Sequence, residues 1–470
     1  MIEKIKEFKY WRLVACIFAG ILFTLNFVMI FDNYLWCDEI ASIQIAKKPL
    51  LELISSTAMD VHPPLYYMIL RLFGLILGFN GLTGHLVSII PYGIILVVSL
   101  SIVWKKVGAF SSVILISLSS LLYSAVHFNI EIRMYSWASL FILLCFIYFR
   151  EVLKAYASKD CILFVVFSLL AAYTHYFCII TVSVFYLAIL IKAIRRHEKN
   201  ILRRALAVWV STIACYLPWA ILFFINYKAN EEKIYSARYN SIMPCLELMF
   251  ESKFTWILFA LFFVFVIIAC FYQRKSTDGI WIISGVMAIA GTILVPFIIS
   301  AVAAPIMEER HVYPSFIIAW LLLGYCISTC KHKNWYFICM LLLIVPFGIS
   351  GIRYVQTEEN NSEKAMEELL DSTVEIQKGG NGLVLSNEWQ ISVPILQYYY
   401  PNAVSGETID EKDMVSTMVA KGEDSYWLMI KGEPTTDIMS DCENAGFGCE
   451  EVVNNGLIGG MRVWVYRVNR

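Results

Sequence analysis

Residues 65–78, LYYMILRLFGLILG, decide how the rest of the chain is read. As a helix these fourteen residues reach only about 21 Å. The hydrocarbon core of a bilayer is roughly 30 Å thick. Arg71 stands in the middle of the stretch, and Pro63 and Pro64 fix an extended approach to it. It therefore reads as an amphipathic helix lying in the membrane interface, inside one long outer loop from 32 to 85.

That reading is checked by parity along the chain. Stretches able to cross as helices are 12–31, 86–103, 108–126, 134–149, 205–226, 255–272, 280–303, 312–330 and 335–351. The apolar run 161–191 is too long for one span and is interrupted by Thr174, His175 and Tyr176, so it divides into two short ones. About eleven spans result. Lys4, Lys6, Lys9 and Arg12 flank the first, which has no small-residue cleavage site. It is expected to be a retained anchor with the N-terminus in the cytoplasm. With 65–78 in the interface, the inner segments carry 19 Lys and Arg, and the longer outer segments of the membrane part carry nine. Moving 65–78 across the membrane would put most of the later basic clusters outside, against the positive-inside rule.

Composition agrees. Of 470 residues, 59% are hydrophobic and 16% charged, and the mean hydropathy is +0.65; soluble chains are about 45–50% apolar. A net charge of −1 offers no basic field for nucleic acid. No zinc-type cysteine pairs, phosphate-cradling glycine loop or internal repeat is present. The expected fold is an all-α polytopic membrane protein, 1–351, followed by a small extracytoplasmic α/β domain, 352–470. In that tail EKAMEELLDSTVEIQ reads as a helix and GLVLSN, SYWLMI and RVWVYRV as strands. Cys442 and Cys449 lie in it and would pair only in an oxidising compartment.

On these assignments the polar residues gather on the outer side. Asp38, Glu39, Asp60 and His62 lie in the long loop. His127, Asn129, Glu131 and Arg133 follow the third span. Thr174, His175 and Tyr176 sit at the break in 161–191, and Glu308, Glu309, Arg310 and His311 follow the ninth. Ordinary causes account for several of them singly. Asp38 and Glu39 can be solvated loop acids, Asp60 can cap the interfacial helix, His175 can make a structural hydrogen bond, and Arg310 can snorkel. Glu131 and Arg133, two residues apart, do not face each other on a helix and each needs another partner. Ionisable groups gathered at membrane depth point to function. Carboxylates serve as general bases on a hydroxyl, and arginines grip phosphate oxygens. A site at headgroup level suits a substrate with a lipid tail and a phosphate head. Residue types and spacing do not name a sugar.

The series DEIASIQIAKKPLLELI, DVHPPLYYMILRLFG, EIRMYSWASLF, YTHYF and ERHVYPSFIIAWLLLGY resembles bacterial GT-C membrane glycosyltransferases. The similar branch is that of the protein O-mannosyltransferases and aminoarabinose-transferase-like, Rgt-like proteins, over roughly residues 10–350. The resemblance implies an inverting transfer of a sugar from a polyprenyl-phosphate donor to an acceptor hydroxyl on a protein, lipid or cell-envelope polymer, at the outer face of the plasma membrane. By the same resemblance Asp38 is the catalytic acid residue, with Glu39 beside it and Asp60 the competing candidate. His62, Glu131, Arg133, His175, Tyr176 and Arg310 are the candidates for binding the donor and its phosphate. His311 stands where the family pattern has tyrosine after Arg310, and His85-Leu86-Val87-Ser88 replaces an Arg-Leu-Pro-like motif. A divalent cation is an open possibility: His62, His127, His175 and the nearby acids could bind one, but no ligand spacing demands it. The tail is expected to guide the acceptor rather than carry the chemistry. The rival reading is a transporter or flippase of envelope lipids or sugars; paired halves and helices broken at mid-depth would mark one, and neither is evident in the sequence.

Overall fold

The computed structural model describes residues 2–31, 34–60, 62–226, 242–250, 255–273, 276–303, 305–329, 348–349, 352–353, 356–357, 361, 363–376, 378, 382–388, 395–400, 404–458 and 461–470. The expected span 335–351 and most of the loop 227–254 lie outside these. The chain divides into two compact units. One comprises Met1–Ile30, Lys48–Gly78 and His85–Tyr354; the other comprises Phe31–Lys47, Phe79–Gly84 and Val355–Arg470.

The first unit is helical. The helices, in chain order, are α1 (Ile2–Phe27), then α2 (Cys37–Lys47), which belongs to the second unit, α3 (Leu50–Ala58), α4 (Leu65–Leu77), α5 (Gly81–Val98) and α6 (Trp104–Lys106). A π turn, Ser99–Val103, joins the last two. There follow α7 (Ala109–Leu121), α8 (Tyr123–Ile130), α9 (Tyr135–Ala155), α10 (Ser158–Thr174), α11 (Phe177–Arg196) and α12 (Lys199–Ile225). The set ends with α13 (Met243–Phe250), α14 (Thr255–Gln273), α15 (Thr277–Val302), α16 (Glu309–Val312) and α17 (Phe316–Ser328). Among the described residues seven helices are long and apolar enough to cross a membrane, or eight if the bent pair α7 and α8 counts as one. The chain is a multi-pass membrane protein.

The run 161–191 is two helices that part at His175 and Tyr176, as its length requires. Residues 65–77 form a short helix. The Arg71 guanidinium explains its place in so apolar a segment: it donates to the carbonyl of Lys48 just ahead of α3, tying α4 to its neighbour.

The expected span 108–126 is not one straight helix. It bends by 73° between α7 and α8, at Leu122, whose backbone is extended (φ −67, ψ 139). No proline or glycine causes this break. Buried Asn26 and Asn129 donate to the carbonyls of Ser120 (3.1 Å) and Ser119 (3.0 Å), and Asn129 also donates to Asn26 Oδ1 (3.0 Å). Carbonyls released at a break in an apolar setting are stable only when such partners reach them.

Helix ends sort into two groups. At one, Arg150 of α9 grips Asp278 of α15 with two bonds (Nε–Oδ1 2.7 Å, Nη2–Oδ2 2.9 Å) and donates to the Lys106 carbonyl (2.6 Å), while the Tyr325 hydroxyl of α17 donates to Asp278 (2.7 Å). Lys192 of α11 reaches the Leu153 carbonyl (2.6 Å) and Thr277 (3.1 Å). Lys106 and Lys154 both pair with Glu151 (2.8 and 2.9 Å), so Lys106, Arg150, Lys154 and Lys192 meet at one end of the helices. Near this same end α7 and α17 approach closely: a Cβ on Gly324 would lie 2.7 Å from Ser111 Cα, so glycine lets the backbones touch.

The second unit is an α/β fold with a five-stranded sheet, ordered β2-β1-β3-β5-β4. The strands are β1 (Gly382–Ser386), β2 (Val404–Thr408), β3 (Ser425–Lys431), β4 (Gly448–Ile458) and β5 (Met461–Asn469). Strand β1 runs parallel to β2 and β3, whereas β5 runs antiparallel to β3 and β4. The helices α18 (363–376), α19 (Met414–Lys421) and α20 (Ile438–Asn444) accompany it. Leu428 and Ile430 of β3 pack with Met414, Met418 and Val468. The segment ahead of α2 also belongs here: the Leu35 amide donates to the Tyr399 hydroxyl (2.6 Å), and the Gly81 amide to the Tyr398 hydroxyl (3.0 Å).

Candidate active site

The sequence candidates fall into both units, so each group is described within its own. In the second unit Asp38 and Glu39 occupy the first turn of α2, where carboxylates favour the positive end of the helix dipole. Asp38 is half-buried, and Cys37 Sγ lies 3.9 Å from its Oδ1. Glu39 is buried and its carboxylate accepts from the Trp36 amide (3.3 Å), so it works on its own helix terminus.

In the first unit three chain segments converge. The connector between α3 and α4 brings buried His62, fixed by Pro63 and Pro64. Asp60 does not cap α4: the cap position is Pro64, and no side chain bonds there. The second segment is the link between α8 and α9. Glu131 leaves the helix in an extended conformation (φ −52, ψ 133), and the Arg133 amide bonds back to its carbonyl (2.6 Å). His85 Nδ1 meets the Ile130 carbonyl at 2.9 Å and secures the end of α8. The link therefore carries Glu131 (3% exposed) and Arg133 (5% exposed) into the interior, and the Arg133 guanidinium approaches His62 Nε2 at 3.4 Å. His127 is partly exposed, 3.9 Å from Glu131, and does not join the cluster around His62.

The third segment is the turn between α10 and α11. The Phe177 amide donates to His175 Nδ1 (3.2 Å), while His175 Nε2 has no hydrogen-bond partner among the described residues. Tyr176 is the next residue; burial, with the charge of Asp60 adding to it, pushes its phenol up. From α16 comes His311, which the sequence placed in the outer polar group but not among the candidates for binding the donor. Its ring lies 5.2 Å from that of His175 and 5.9 Å from that of His62, and the His62 and His175 rings are 5.8 Å apart. Arg310 has a local partner: its Nε donates to Glu308 at 2.5 Å.

Burial first, and then the charge of Arg133, holds His62 well below its ordinary pKa. Burial together with the charges of Arg133 and Arg310 pushes His175 down to about 3. Both imidazoles are therefore neutral at physiological pH, and the arginines provide the positive charge. Such an arrangement can receive an anion, with guanidinium forks for its oxygens. Three neutral imidazoles can also ligate a metal ion. Ligand atoms of His62, His175 and His311 all lie within 4.8 Å of one another.

Two solved structures share this architecture. ArnT from Cupriavidus metallidurans in the apo state matches with a TM-score of 0.62, at 9% identity, over 98% of both chains. The same protein bound to undecaprenyl phosphate matches with a TM-score of 0.60, at 12% identity, over 97% of this chain and 98% of that one. The fold is that of ArnT. At such identity the likeness establishes the fold alone. No family model matches the chain, and no curated protein does.

Proposed function

We propose that the chain is a GT-C-type membrane glycosyltransferase that moves a sugar from a polyprenyl-phosphate donor to an acceptor hydroxyl at the outer face of the membrane. The observation that carries this reading is the buried group Arg133, His62 and His175, with Arg310 acting on the same histidines. It lies in a chain whose fold matches, end to end, a protein solved with undecaprenyl phosphate bound. A phosphate head on a long apolar tail answers both to the charges and to the membrane.

In this reading the acceptor oxygen attacks the anomeric carbon from the face opposite the phosphate. The bond from that carbon to the phosphate oxygen breaks, its electron pair stays with the phosphate, and the anomeric configuration inverts. The acceptor proton passes to a carboxylate acting as general base, a role the family resemblance gives to Asp38. Arg133 and Arg310 balance the charge that grows on the leaving phosphate; Arg310 exchanges part of its pairing with Glu308 for this. Without a metal, His175 Nε2–H, the proton position implied by the amide bond at Nδ1, is a buried donor suited to a phosphate oxygen. Glu131 and Tyr176 complete the donor's surroundings, and Asp60 remains the alternative base.

The test is turnover of purified protein in lipid with a polyprenyl-phosphate sugar. Release of polyprenyl phosphate with glycosylation of an acceptor supports the reading. Movement of the intact lipid or sugar across vesicles without cleavage would replace it with transport.

A further inference from the structure

We propose that His62, His175 and His311 form a site for one divalent transition-metal ion of the zinc type, held jointly with the donor phosphate. The joint part rests on the transferase reading above; the metal site itself does not.

The three imidazoles come from three separate places: the α3–α4 connector, the α10–α11 turn and α16. Their ligand nitrogens already lie within 4.8 Å of one another. Zinc–nitrogen bonds near 2.0–2.1 Å put tetrahedral ligand atoms about 3.4 Å apart, so closure needs a shift of little more than an ångström. His175 Nε2 is buried and makes no hydrogen bond among the described residues; His311 Nδ1 is buried with no partner in hydrogen-bond geometry, although the Ile306 backbone lies close enough to act on the ring. Leaving such atoms unsatisfied is costly, and a metal satisfies both. With Nδ1 on the metal, the other nitrogen of His311 carries its proton toward Glu308, 3.8 Å away; metal-bound imidazoles ordinarily have such carboxylate support. The ligand set is all nitrogen, which suits zinc, cobalt or nickel rather than magnesium or calcium. Three protein ligands leave a position open.

Two contacts must yield. The Phe177 amide bond to His175 Nδ1 (3.2 Å) is lost when that nitrogen takes the proton, and the Arg133 approach to His62 Nε2 (3.4 Å) opens. Both are at the long end of hydrogen-bond distances. The arginines repel a bare cation. A phosphate oxygen in the open position removes that conflict, because the anion is shared between the metal and Arg133. Metal and phosphate should therefore each strengthen binding of the other.

The experiment uses full-length protein in nanodiscs, stripped with a chelator and titrated with Co²⁺ while its visible absorption is followed. One Co²⁺ per chain with tetrahedral intensity is expected. Affinity should drop at least tenfold in His175→Ala, His311→Ala and the milder His311→Gln, and persist in His127→Ala. Undecaprenyl phosphate should tighten Co²⁺ binding about 5- to 150-fold. Absence of stoichiometric Co²⁺ binding in folded wild type, with and without the lipid phosphate, overturns the site. So does unchanged affinity in folded His311→Gln together with His175→Ala. Tight binding that ignores the lipid phosphate overturns only the joint part, and donor turnover measured separately decides the transferase reading.

Discussion

Tyr399→Phe isolates what the second unit does for the candidate base. The Leu35 amide, three residues before Asp38, donates to the Tyr399 hydroxyl at 2.6 Å, and Leu35 is 1% exposed. Tyr34 stacks on the Tyr399 ring with centroids 6.5 Å apart. Phenylalanine keeps the ring and the stack and removes only the acceptor. The amide is then buried without a partner, a loss of about 1–3 kcal/mol. A loss of about 1–3 kcal/mol raises local opening roughly 5- to 150-fold. Hydrogen exchange by mass spectrometry should show that acceleration in peptides covering 34–47, with exchange in β3 and β5 unchanged. If the tail holds Asp38 in place, kcat should fall while the donor KM stays near wild type. The tail then does more than guide the acceptor. Unchanged exchange at 34–47 would refute the structural reasoning, and faster exchange with full turnover would refute the link to Asp38.

Asp38→Asn keeps the shape and removes the base, so kcat should fall by about 10²–10⁴ with donor binding retained; near wild-type turnover alongside a dead Asp60→Asn would transfer the role to Asp60. Arg133→Ala should weaken donor binding more than Arg133→Lys, since an ammonium keeps the charge but not the fork; equal small losses by titration with polyprenyl phosphate would argue against a phosphate contact. Asp278→Asn should lower thermal stability in lipid by about 3 kcal/mol, because it strips a largely buried Arg150 of its counter-charge; an unchanged melting temperature would show the latch to be idle. A cysteine at Lys105 should resist impermeant thiol reagents added outside intact cells, and rapid labelling would remove 65–78 from the interface.

Much of the membrane architecture was legible because length is an unforgiving constraint. The run 161–191 could not be one span, and the chain breaks at His175 and Tyr176. Strands β1, β3 and β5 were legible from their apolar content. Strands β2 (VSGET) and β4 (GCEEVVNNGLI) were not, because they are the edges of the sheet, where one side faces no neighbouring strand and polar residues suffice. The break at Leu122 left no local signal either. One of the groups that satisfies it is Asn26, 94 residues from the carbonyl of Ser120 to which it donates, and a pairing so distant has no period to read.

The same logic explains why the histidine cluster could be read only in part. His62 and His175 stood out because each adjoins a local irregularity: two prolines at one, a split apolar run at the other. His311 adjoins none. It lies in a short helix next to an arginine already paired with Glu308, and its significance comes from the two rings it meets. Arg133 joins them through the non-helical link at Glu131, which follows the broken helix. Asn26 and Asn129 satisfy the carbonyls at the break, and His85 satisfies the last carbonyl of α8. Polar side chains far from any reacting group thus make it possible for the backbone to leave the helix at Leu122 and again at Glu131. A chain that kept 108–133 as one continuous helix would satisfy its carbonyls without them, but it would have no turn to carry Arg133 beside His62.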